Sequence, residues 1–168
     1  MGPFTAEFYR EAAGTRQVPE LHDHRRLDGG GDLQIMEWLL PVSEEEAKGF
    51  LLKIAKGSPE MEVLAGILRG VHEQARNSLP WCGPLDENPH NVMRTRDGRL
   101  VLTDPFYADG PNLYAAAAST PDLVAARIPK EQRKYITEIP LAGSGGWDEG
   151  GQEKIRQGLR AADAEVRR

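Results

Sequence analysis

The chain of 168 residues predicts an α+β fold. Two short strand patterns come before the main helices, and a tight hairpin follows them. No regular alternation of single strands and helices appears, as a parallel βαβ sheet would require. A hydrophobic fraction of 39% and a charged fraction of 28% suit a globular chain with a real core.

The elements follow in order. In "PFTAEFYREAAG", Thr5 is placed as an N-cap before a short helical pattern, with Gly14 as its stop. "QVPELHDHRRLDGGGDLQIMEWL" reads as two strands around "DGGGD", a turn of residues that tolerate positive φ. Ser43 and Glu46 have capping-box spacing, and Ala47, Phe50, Leu51 and Ile54 fall on one helical face after them. "SPEMEVLAGILRGVHEQARNSL" predicts the longest buried helix. Ser58 is its cap, Pro59 its first residue, and Leu64, Ile67, Leu68, Val71, Ala75 and Leu79 its stripe. "PWCGP" ends it. "NVMRT" and "RLVLTD" joined through "RDG" predict a hairpin. "PFYADGPNLYAAAASTPD" reads as irregular, then mildly helical, and "LAGSGGWDEGGQ" as a linker. A terminal helix is expected from about Gln152, with Ile155, Leu159, Ala162 and Val166 on one face.

Lys and Arg number 21 against 26 Asp and Glu, a net charge of −5, which argues against nucleic acid as the main partner. The single cysteine, Cys82, excludes an intrachain disulfide and is compatible with a reducing compartment. The first residues lack the basic and apolar regions of a signal peptide. No apolar run reaches the roughly 20 residues that span a bilayer. The expectation is a soluble, cytoplasmic protein with no membrane partner.

The chemistry concentrates in "LDENPHNVMRTRDGRLVLTD", residues 85 to 104. An antiparallel hairpin returns Asp104 to Asn91, and the loop before it can turn Asp86 toward the same point. Three hard oxygen donors with an incomplete shell suit Mg²⁺, which keeps waters and takes its remaining ligands from phosphates. Asp86 can instead orient a hydroxyl and accept its proton. The same residue types also cap turns, and spacing alone leaves both readings open. His22 and His24 share one side of a strand without a third metal partner, so both are expected to be solvated. His72 is expected to pack, Cys82 to be unactivated, and Trp38 to be core.

"DENPHN" resembles the D-x-x-x-x-N catalytic loop of the protein-kinase-like superfamily, which includes aminoglycoside phosphotransferases, and "GRLVLTDPF" resembles the strand entering its metal-binding Asp. The resemblance implies Asp86 as catalytic base, with Asn91 and Asp104 as Mg²⁺ ligands beside ATP. "LQIMEWLLP" resembles the last small-lobe strand entering the hinge, which implies adenine binding at Glu37, Trp38 and Leu39. Glu7 falls where the family's αC glutamate would stand. The implied fold is a kinase-like one with a truncated small lobe and hinge over residues 1–40. A compact, mostly helical large lobe would cover 41–168 as part of the same structural unit. The chain also resembles some small bacteriophage-encoded kinase-like proteins, with "TDP" in place of D-F-G.

Departures from the family accompany the likeness. Six residues precede Glu7 in this sequence, too few for a glycine-rich strand pair, and the first lysine is Lys48, after the hinge. Pro84 and Leu85 stand where the family has His and Arg or His and Gly, and Asn88 where it has lysine or histidine. Pro105 and Phe106 follow Asp104, without the family's glycine. The expectation is phosphoryl transfer that is reduced or lost. The alternative is a catalytically inactive binding protein that modulates a cellular host protein. An uncovered sheet edge would then be open to a protein partner or to a second copy in a homodimer.

Overall fold

The computed structural model describes residues 1–28, 31–79, 81–138 and 148–165. It has the expected α+β character, with helices around two small antiparallel sheets. The chain forms two compact units, Met1–Tyr107 and Ala108–Arg168. No helix among the described residues is long and apolar enough to cross a membrane.

In the first unit, helix α1 spans Gly2–Ala12. Pro3 in its first turn, where a missing N–H costs nothing, moves the start ahead of the predicted cap. Thr5 is therefore one turn inside the helix and buried among Ala6, Phe8, Tyr9 and Ala12. Gly14 is not the stop either. A 3-10 turn over Ala13–Thr15 carries the chain on to Arg16, which takes the left-handed conformation at φ 60.

Strands β1 (Leu21–Arg26) and β2 (Asp32–Met36) pair antiparallel, with Arg26 opposite Asp32 and Leu21 opposite Met36. On β2 the half-buried face carries Asp32, Gln34 and Met36, and the outer face is apolar. Gln34 Nε2 donates to the Gly2 carbonyl at 2.8 Å, while Leu33 and Ile35 are exposed. His24 is not a solvated strand residue, because Asp32 Oδ1 meets its Nε2 at 3.0 Å and Arg10 its Nδ1 at 3.1 Å.

Strand β3 (Leu39–Pro41) leads to helix α2 (Glu44–Lys56). Ser43 caps it as expected, accepting the Glu46 N–H at 3.3 Å, and Gly57 ends it at φ 64. Ala47, Phe50 and Ile54 are buried, and Leu51 is half-buried. A 3-10 turn over Pro59–Met61 precedes helix α3 (Glu62–Ser78), so Ser58 starts the turn and makes no side-chain cap. Leu64, Leu68, Val71 and Ala75 form the buried stripe of α3. Strands β4 (Val92–Thr95) and β5 (Leu100–Leu102) form the predicted hairpin, and β3 joins them in the order β3-β4-β5. Helices α1, α2 and α3 enclose a core with Val92, Leu102 and Phe106.

The second unit is helical where the sequence read as partly irregular. Helix α4 (Gly110–Ser119) is capped by Asp109, which accepts the Asn112 N–H at 3.2 Å, so a local cap starts it. Helices α5 (Pro121–Arg127), α6 (Lys130–Glu138) and α7 (Glu149–Glu165) follow, and α4, α5 and α7 pack together. Helix α7 begins at Glu149, ahead of Gln152, and buries Ile155, Leu159 and Ala162. Val166 and most of the expected linker lie outside the described residues.

Candidate functional site

The chain after α3 is fixed from below. His72 Nε2 donates to the Gly83 carbonyl at 2.8 Å, and its ring stacks on Phe106 with centroids 5.9 Å apart. Phe106 in turn meets Phe8 edge-on at 5.9 Å. His72 is therefore packed, as expected. Two backbone bonds then zip the loop to the segment after β5. Gly83 N–H donates to the Tyr107 carbonyl and Asp86 N–H to the Pro105 carbonyl, each at 2.9 Å. A Cβ on Gly83 would stand 2.6 Å from the Tyr107 ring, so the exposed ring would have to shift to admit a side chain there.

This zipper puts Asp86 beside Asp104. Asp86 Oδ1 accepts the Asn88 N–H at 3.0 Å, and Asn88 Oδ1 accepts the His90 N–H at 3.0 Å. Two consecutive side-chain turns thus shape the loop. At the hairpin's end, the Asn91 carbonyl accepts the Thr103 N–H at 2.6 Å and the Thr103 hydroxyl at 2.9 Å. Asn91 Nδ2 donates to the Asp104 carbonyl at 3.0 Å. With its amide nitrogen so used, the Asn91 side-chain oxygen makes no hydrogen bond among the described residues and is available to a ligand.

Asp104 has φ 37, unfavourable for a residue with a Cβ. Its N–H donates to the Tyr9 hydroxyl at 3.1 Å. Partial burial raises the Asp104 carboxyl pKa, and the charge on Asp86 raises it further. Burial also pushes the Tyr9 phenol up to about 12. The buried Thr5 hydroxyl, one turn before Tyr9, has no hydrogen-bond partner among the described residues.

Backbone contacts thus link the neighbourhoods of the three sequence-predicted residues: Asn91 Nδ2 reaches the Asp104 carbonyl, and the Asp86 N–H reaches the carbonyl of Pro105, next to Asp104. Among the described residues no three His, Cys, Asp or Glu side chains gather as a metal site. The donors are all hard oxygens, which fit Mg²⁺ rather than a softer metal, and they leave most of an octahedral shell to waters and phosphates. Two cavities adjoin Asp86. One of about 440 Å³ is apolar, lined by Leu51, Ile54, Leu68, Leu85 and Leu102. The other, of about 490 Å³, lies between Pro84, Glu87 and Tyr107.

The hinge-like residues stand apart from this set in character. The Glu37 carboxylate accepts the Glu20 N–H at 2.9 Å and pairs with Arg99 at 3.2 Å. Trp38 is 66% exposed, so it is not core, and Leu39 belongs to β3. Glu7 is half-buried and makes no ion pair among the described residues. Arg10 and Arg16 are engaged elsewhere, with His24 and Asp97. Burial raises the Cys82 thiol pKa, in keeping with an unactivated cysteine.

Sequence reasoning missed Tyr9. Its signal was a hydroxyl on the buried face of α1, but nothing local to it indicates Asp104 as its neighbour. No family model, curated protein or solved structure matches the chain.

Proposed function

We propose that the chain is a kinase-like protein of phosphotransferase fold. Asp86, Asn91 and Asp104 would form its Mg²⁺–ATP site, with phosphoryl transfer reduced or lost. The observation that carries this reading is the backbone network that ties Asp86 to Pro105 and Asn91 to the Asp104 carbonyl, with the Asn91 side-chain oxygen unengaged among the described residues. Two like charges brought together raise the free energy of the unliganded site, and a divalent cation between them lowers it. Asn91 and Asp104 would hold the metal, which when bound neutralises charge on the phosphates.

Asp86 is the base of this reading. One of its carboxylate oxygens is committed to the Asn88 N–H, which orients the other toward an acceptor hydroxyl whose proton it takes. The apolar cavity beside Asp86 supports an acceptor group with an apolar body, on a small molecule or a protein. Adenine would lie along the backbone of Glu37, Trp38 and Leu39. Weak chemistry follows from Pro84, Leu85 and Asn88 in the loop and from an unpaired Glu7, because positioning and electrostatics supply most of phosphoryl-transfer catalysis. A cytoplasmic location and a bacteriophage-type relationship belong to the same proposal.

Calorimetric titration of ATP, with and without Mg²⁺, tests it. The expected outcome is Mg²⁺-dependent binding that Asp104→Ala removes, with Asp86→Asn still binding and losing any phosphate transfer. No binding at millimolar ATP counts against the site.

A second reading is an inactive binding protein acting on a host protein or pairing with a second copy. It is favoured by apolar residues left exposed on and after β2, namely Leu33, Ile35, Trp38 and Leu40. Under it, Leu33→Lys with Ile35→Lys abolishes association in sedimentation experiments, whereas Asp86→Asn has no effect.

A further inference from the structure

We infer that the Tyr9 hydroxyl is a positioning group for the metal site, fixing Asp104 in its left-handed backbone conformation. This rests on the reading of Asp104 as a Mg²⁺ ligand.

A non-glycine residue at φ 37 persists only where its surroundings over-determine it. Both faces of the Asp104 backbone are held. Asn91 Nδ2 donates to its carbonyl at 3.0 Å, and its N–H donates to Tyr9 at 3.1 Å. The first bond comes from the hairpin itself. The second comes from α1, 95 residues away in sequence, and nothing in the hairpin replaces it.

Packing does not explain the hydroxyl. The Tyr9 ring is 2% exposed and stands 6.0 Å from Phe8, a place that phenylalanine would fill equally well. A polar atom kept in such surroundings costs stability unless it has a partner, and its partner is the Asp104 N–H. The hydroxyl thus serves the Asp104 backbone and not the packing of α1.

The test titrates Mg²⁺ alone into the unaltered chain and into Tyr9→Phe and Asp104→Ala, with amide exchange followed by NMR. The expected result is about tenfold weaker Mg²⁺ binding in Tyr9→Phe, or about 1.4 kcal/mol. Faster exchange at the Asp104 amide should accompany it, with the amides of Val92–Thr95 unchanged. A Tyr9→Phe variant that binds as tightly as the unaltered chain, while Asp104→Ala does not bind, overturns the inference and leaves the site standing. An unaltered chain that binds no Mg²⁺ overturns both. Should Tyr9→Phe not fold, amide exchange in the unaltered chain decides: an Asp104 amide that exchanges as fast as an unprotected one overturns the inference.

Discussion

The β4–β5 hairpin carries an aspartate at each end, and the two are treated in opposite ways. At the turn, Asp97 accepts from the Thr95 hydroxyl, from Arg99 Nε at 2.9 and 3.0 Å, and from Arg16 at 3.1 Å. The Thr95 hydrogen bond, followed by that of Arg99, lowers its pKa to about 2. The positive φ of that turn, 90°, falls on Gly98, where no side chain opposes it. At the other end the positive φ falls on Asp104 itself, and burial together with Asp86 raises the carboxyl pKa. One end follows every rule for a stable turn. The other breaks two of them in one residue, the pattern of a site whose strain is maintained by its surroundings.

The largest test of this contrast is aimed at what supports the strained end. Phe106 is 2% exposed between the His72 ring and Phe8, two residues beyond Asp104. Phe106→Ala is expected to cost about 3–5 kcal/mol in urea unfolding, from lost burial and the cavity left behind. A loss below about 1 kcal/mol would mean that the aromatic stack is not what holds the Asp104 segment.

A smaller effect is expected at the well-made end. Thr95 is 1% exposed, and its hydroxyl both donates to Asp97 and accepts the Arg99 N–H at 3.0 Å. Thr95→Val should cost about 1–3 kcal/mol, because the Arg99 N–H loses its partner. The pH dependence follows from the sign of the Asp97 shift. Its folded pKa lies below the ordinary 3.8, so its contribution is present above that value and is lost as pH falls through about 2. Thr95→Val removes the main cause of the shift and should move the acid loss to higher pH. An unchanged acid limb would show that the turn network adds nothing to stability, and the contrast between the two ends would collapse.

What could be read from sequence divides along the same line. The Ser43 cap, the α3 stripe and the hairpin itself rest on contacts within a few residues, and periodicity and turn chemistry report such contacts directly. Asn91 and Asp104 were expected together because a short hairpin leaves them little choice. Asp86 joins them through backbone bonds to Pro105 and through the bare Cα of Gly83 against Tyr107, which no spacing rule encodes. The contribution of Tyr9 comes from a distant helix. Thr5 was read as a cap because the pattern is ordinary, but Pro3 starts α1 earlier and puts that hydroxyl inside. His24 was read as solvated because its partners, Arg10 and Asp32, lie on other elements.

The finest test is a gain of stability at the strained end. Asp104 has a folded pKa above the ordinary 3.8, so folding disfavours its charged form and destabilises the protein at neutral pH. Asp104→Asn removes the charge and keeps a residue that tolerates positive φ. The variant should therefore be more stable at pH 7. The carboxylate reaches solvent, which limits the gain to less than about 1 kcal/mol. The gain should shrink as pH falls through the Asp104 pKa toward and below 3.8, where the unaltered carboxyl is itself neutral. Saturating Mg²⁺ should reverse the order, because a ligand that binds only the folded state stabilises the aspartate form alone. If Asp104→Asn were instead the less stable protein without metal, the Asp104 carboxylate would be a structural group like that of Asp97. The hairpin would then have two ends of one kind, and the Mg²⁺ site would lose its strongest physical argument.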